Sequence, residues 1–201
     1  MRHIASSLAA VLVVSLATSA SAEPFNGPFI GVQAGWNQDD LGTPSTELGD
    51  LSIGQKRDSF NGGVFAGYDH KIGNSFVVGG EAGLQFGVDD KIVRDTGAGL
   101  ITADPKRAID LTARAGYLVN DKTLVYARGG YTNARVRTTV ADAAGIRSVS
   151  ENRDGWLVGG GLERAITDNV TARVEYRYAD LSEGDGKFDR HQALVGVAYR
   201  F

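Results

Sequence analysis

Beyond residue 22 the chain alternates apolar and polar residues in eight blocks, each about as long as a strand that crosses a bilayer. In 29–37, Ile30, Val32, Ala34 and Trp36 share one parity, with Gly31, Gln33, Gly35 and Asn37 on the other. In 60–69, Phe60, Val64, Ala66 and Tyr68 oppose Asn61, Gly63, Gly67 and Asp69. In 76–88, Phe76, Val78, Ala82, Leu84 and Phe86 oppose Glu81 and Gln85. The blocks 108–119, 124–136, 156–165, 170–179 and 191–201 repeat the rule: Ile109, Leu111 and Tyr117 oppose Asp110, Thr112 and Arg114, and Val174 and Tyr176 oppose Arg173 and Glu175. The connections alternate too. Those at 38–59, 89–107, 137–154 and 180–190 are long; those at 71–75, 120–122 and 166–169 are short. An even number of strands with short turns at one end and long loops at the other predicts a transmembrane, up-and-down antiparallel β-barrel of eight strands, with the short turns in the periplasm.

A soluble β-sandwich also alternates, and two features separate the cases. Aromatics fall at the ends of the apolar faces. Trp36, Phe60, Phe86, Tyr131, Trp156 and Tyr178 lie beside the long loops, and Tyr68, Phe76, Tyr117, Tyr199 and Phe201 beside the short turns or the C-terminus. Rings of this kind belong at the two membrane interfaces. The opposite faces carry charge at mid-strand, which is costly toward lipid and so must face the lumen. The candidate lumen network is Glu81, Arg114, Arg128, Glu163, Arg173, Glu175, Arg177 and Arg200. An eight-stranded barrel is narrow enough for side chains to fill. Buried charges need partners, so the expectation is a lumen closed by paired arginines and carboxylates. A wet lumen with separate charges is the alternative, and would make a narrow porin.

Composition sharpens this picture. The chain has 201 residues, no cysteine, 27 glycines and a net charge of -3. It therefore has no disulfide and no thiolate metal site, and nothing in its charge draws it to nucleic acid. Residues 1–22 read as a secretory signal peptide: Arg2 and His3, an apolar run from Ile4, and an A-x-A site that places cleavage between Ala22 and Glu23. The barrel domain is then 23–201. An uncleaved anchor is the competing reading, but the apolar run is short of the roughly 20 residues a spanning helix needs.

Enzyme chemistry finds little to work with. Beyond the leader the only histidines are His70 and His191, at opposite ends of the predicted barrel. His191 near Ser182 and Glu183 is the one nucleophile-type candidate. The Gly159–Gly161 run lacks the Lys-Ser/Thr that a phosphate loop needs. Asp39/Asp40 and Asp89/Asp90 read as solvated loop acids, with spacing too loose for a cation site. The expectation is no catalytic site, no cofactor and no metal. No peptidoglycan-binding domain is expected after Phe201.

Several stretches resemble one family, the RopB-type small outer-membrane immunogenic proteins of the OmpA-like eight-stranded barrel group. They are GVQAGWN at 31–37, FAGYDHKIGNSFVVGGEAGLQ at 65–85, TARAGYLVNDKTLVYARGGYTNARV at 112–136, GWLVGGGLERAITDNVTARVEYRYADL at 155–181 and HQALVGVAYRF at 191–201. The resemblance implies a cell outer-membrane location, a part in envelope integrity and surface antigenicity. Its implied partners are outer-membrane lipid, lipopolysaccharide and, through the terminal strand ending at Phe201, the barrel-assembly machinery. Adhesion through the long loops is a further alternative.

Overall fold

The structure is a computed structural model that describes residues 23–41, 45–46, 49–50, 55–88, 92–95, 99–142, 145–181 and 188–201. The leader at 1–22 lies outside the described residues. Eight long strands form the wall: β1 (Gly27–Leu41), β2 (Gln55–Ile72), β3 (Phe76–Val88), β4 (Gly99–Asn120), β5 (Thr123–Asp142), β6 (Gly145–Ala165), β7 (Val170–Asp180) and β8 (Phe188–Arg200). Each pairs antiparallel with the next, and β1 also pairs with β8, Phe29 opposite Arg200 and Leu41 opposite Phe188. The sheet is thus a closed ring. Closure satisfies the backbone of every strand within the wall, as a lipid environment demands.

The alternation maps onto the two faces as period two requires. Leu111, Val32, Val174 and Val195 point outward and are about half exposed or more. An apolar wall of this extent is an aggregation hazard in water and a solvated surface in hydrocarbon.

The strands run further than the sequence pattern indicates. β4, β5 and β6 are 22, 20 and 21 residues long, about twice what a tilted strand needs to cross a bilayer. Only residues 143–144 separate β5 from β6, so the expected loop at 137–154 is mainly a continued hairpin. The expected loop at 89–107 holds a short strand, Ile92–Asp95, paired with the start of β4. The connections at 38–59 and 180–190 are likewise shortened by the ends of β1, β2 and β8. The reason is local: 136–142 and 145–150 are rich in β-branched residues, and a ladder once started satisfies the backbone cheaply. Pro105 is accommodated because the β4–β5 register slips there, leaving residue 106 as the extra residue of a bulge.

Two chain segments turn into the lumen. At the short-turn end, residues 23–26 fold inward and bury Phe25 completely, beside Val77, Leu118, Leu124, Tyr126 and Ala165. Phe25 adopts a φ of 65°, a conformation that costs a non-glycine residue about 1 kcal/mol. The segment is pinned: the Asn26 N–H donates to the Glu23 carbonyl at 3.1 Å, and Lys71 pairs with Glu23 at 2.7 Å. At the other end β7 stops at Asp180, and Leu181 is buried against Ala108 and Ala134.

Candidate functional site

The inward parity of all eight strands supplies polar side chains that bond to one another in tiers along the axis. Near the short-turn end four charges form a ring. Arg114 donates to Asp69 at 2.8 Å and to Glu163 at 2.9 Å. Arg200 donates to the same two carboxylates at 2.8 and 2.6 Å. Glu163 also accepts from the Thr171 hydroxyl at 2.6 Å.

In the middle tier Glu81 accepts from Arg128 at 2.8 Å and from Arg173 at 2.6 Å. Glu175 lies 3.0 Å from Arg128 and also binds Arg177 and the Tyr126 hydroxyl. Arg177 reaches on to Asp110 at 3.2 Å. There the network turns to amides: Thr132 and Gln85 donate to Asp110, and Asn61 and Gln192 donate to Gln85 at 2.7 and 3.0 Å. At the rim Arg190 grips Asp39 through two bonds of 2.7 and 2.8 Å.

Five arginines (114, 128, 173, 177, 200) thus face five carboxylates (Asp69, Glu81, Asp110, Glu163, Glu175), all buried. Such a set is electrically neutral and multiply hydrogen-bonded, the condition under which buried ions are tolerated.

The eight lumen charges named from the sequence all sit inside, in two groups: Arg114, Glu163 and Arg200 near the short turns, and Glu81, Arg128, Arg173, Glu175 and Arg177 in the middle tier, with the Tyr126 ring between Arg114 and Glu175. Asp69 and Asp110, inward-facing by the sequence pattern, are full members of the first and second group respectively. Four inward aromatics have no counterpart in the sequence reading. Phe65 lies 3.6 Å below the Arg173 guanidinium, Phe29 beneath Arg114 and Arg200, Phe25 beneath Arg200 and Tyr126 beside Arg114 and Arg128. These rings offer π-faces to cations. Phe65 fits because Gly31 faces it; a Cβ there would lie 2.2 Å from the ring. Arginine-rich faces opposite glycines are the signal that could have found them.

The outward aromatics form two girdles. Trp36 stacks with Phe60, and Trp156 with Tyr178, at the long-hairpin end; Phe76 meets Tyr117, and Tyr199 meets Phe201, at the other. Phe86 and Tyr131 are exposed at the first level and Tyr68 at the second.

One sequence reading is corrected: Asp39 is a buried partner of Arg190 rather than a solvated loop acid, because β1 continues past the expected loop boundary. Residues 89–90 and 182–183 lie outside the described residues. The ring of His191 meets the Tyr176 hydroxyl at 2.7 Å. Gly159, Gly160 and Gly161 lie within β6, where a Cβ at Gly161 would strike the Val174 carbonyl. At the rim Asp154 accepts from Tyr131 and Asn133, and those two hydrogen bonds hold its carboxyl below the usual range.

The family described as outer membrane protein beta-barrel domain matches residues 6–201. The chain is 28% identical to the 31 kDa outer-membrane immunogenic protein of Brucella melitensis, covering 98% of this chain and 94% of that protein. It is 29% identical to a 22 kDa outer membrane protein of Rhizobium leguminosarum bv. viciae, covering 80% and 75%. Among solved structures it resembles Ail, the attachment invasion locus protein of Yersinia pestis, with a TM-score of 0.55 at 19% identity over 87% of this chain and 99% of that one. It also resembles Neisserial surface protein A, with a TM-score of 0.53 at 17% identity, covering 88% and 98%. A closed eight-stranded wall, a lipid-type outer face and these relatives agree: the chain is an outer-membrane protein and belongs to the outer membrane protein beta-barrel domain family.

Proposed function

We propose that this protein is a structural, ion-tight element of the outer membrane that also acts as a surface antigen. The observation that carries the reading is the lumen, filled by a neutral set of five arginines and five carboxylates between an apolar stopper at each end, Phe25 and Leu181. A chain of water or ions along the axis would have to break several charge-assisted bonds at once. The purified barrel in a planar bilayer is expected to give no steady unit conductance; a large, stable one would make it a narrow porin instead.

The antigen reading draws on the relatives named immunogenic and on the long β4–β5–β6 hairpins, which by the rule for such barrels project outside the cell. A non-enzymatic role fits the bonds the polar side chains make to each other inside the wall. Cleavage between Ala22 and Glu23 releases the segment that carries Phe25, and the intact mass of the membrane form is expected to begin at Glu23. A mass that includes Met1 would contradict this. The last strand, ending at Phe201, is the part offered to the assembly machinery.

A further inference from the structure

The outward residues beyond the outer aromatic girdle differ around the barrel. On β1 and β2, Gln38 faces Asp58 and donates to it at 3.3 Å. On β6 the position belongs to Asp154, and on β7 and β8 Asp180 faces Asp189. On β4 and β5 the residues are Arg107 and Arg135, which face each other directly in the register.

Both arginines are exposed, and like charges placed directly opposite destabilise a strand pair. The carboxylate on the neighbouring strand, Asp154, is already taken by Tyr131 and Asn133. Among the described residues neither arginine has an ion pair or hydrogen bond. The bulge at 105–107 lies at this level and sets the direction of Arg107.

Their height and direction say which class of anion they can meet. Arg135 follows Tyr131 and Asn133, and Arg107 precedes Ile109, on the outward parity. Arg135 thus stands two steps of one parity beyond Tyr131, each about 7 Å along the tilted strand, which lifts it from the girdle into the headgroup layer, where Arg107 faces it. The outward parity points into the membrane and away from the lumen. Guanidinium pairs bind phosphate oxygens in a fork that carboxamides and lysines do not match.

We propose that Arg107 and Arg135 clamp the phosphate of a glycolipid headgroup in the outer leaflet. The site rests on the reading that the long hairpins lie outside the cell, but not on whether the lumen is sealed, so conductance and lipid binding can fail separately. Arg107 and Arg135 sit on β4 and β5, so the clamp holds its lipid on that side of the barrel.

The test uses the full mature chain in detergent, with bisphosphorylated lipid A and its dephosphorylated form as probes, and native mass spectrometry as the readout of retained lipid. The variants are Arg107→Gln, Arg135→Gln, the pair together, both arginines replaced by lysine, and Gln38→Ala as a rim control. Folding is checked by heat-modifiable migration. Each arginine beside an anionic lipid contributes about fivefold in affinity, so the double glutamine variant is expected to bind lipid A on the order of 25-fold more weakly. The dilysine variant should fall between it and wild type, and Gln38→Ala should match wild type. Dephosphorylated lipid A should bind wild type no better than it binds the double variant.

Undiminished binding by the folded double variant would overturn the proposal. So would equal retention of the two probes by wild type, or displacement of lipid A by equimolar inorganic phosphate, which would mark a free-anion site. Should the double variant fail to fold, the two single variants carry the same outcomes at about fivefold each.

Discussion

The two faces of the same eight strands obey opposite rules. Inside, the charged side chains have several fixed partners: Glu163 alone accepts from Arg114, Arg200 and Thr171. Outside, residues such as Val174 sit 54% exposed and meet lipid rather than fixed partners. Because adjacent residues on one strand belong to different faces, neighbouring substitutions should differ sharply in cost. The inner face is coupled and specific, and the outer face is nearly additive and tolerant of any apolar residue.

The strongest way to break this contrast is to remove one inner charge. Glu163→Gln leaves Arg114 and Arg200 sharing Asp69, and an uncompensated buried charge costs about 3–5 kcal/mol. The midpoint of urea unfolding in liposomes is expected to fall accordingly, with greater ion leakage; an unchanged midpoint would mean the lumen is wet enough to solvate the pair. Next comes a charge placed on the outer face. Val174→Arg, on the outward parity in the middle of β7, is expected to destabilise by about 2–4 kcal/mol in the same assay. A negligible effect there would show that this stretch does not face the hydrocarbon. The smallest effect belongs to Val174→Ala, which exchanges one lipid-facing apolar group for another and should stay within about 0.5 kcal/mol with no leakage. A loss as large as that of Glu163→Gln would abolish the distinction between the faces.

How far the sequence revealed this depends on what period two can encode. It assigns a residue to a face, and so Glu81, Arg114, Arg128, Glu163, Arg173, Glu175, Arg177 and Arg200 could be named as lumen residues. It does not encode height. Strand pairing in the closed ring brings Asp69, close to a short turn, to the level of Arg114 and Arg200, and no spacing within one strand announces that. Phe29, Phe65 and Tyr126 were hidden for the opposite reason. An apolar residue on the polar parity looks like noise until the arginines over it and the glycine across from it are seen in register. The hairpins outrun the alternating blocks because lipid enforces alternation only across the bilayer, while Val136, Thr138, Thr139 and Val140 continue the β-favouring composition well past it.

The pairing of β1 with β8 also has a consequence in time. Phe29 lies against Arg200, so the contact that shuts the ring joins the first strand to the last. Its sequence separation is as large as the domain permits, and loop-closure entropy is met before any of that pairing is gained. The ring cannot close before the last strand has been made. Until its two ends meet, both edges are unpaired and the apolar face is accessible, and only closure makes the molecule safe from aggregation.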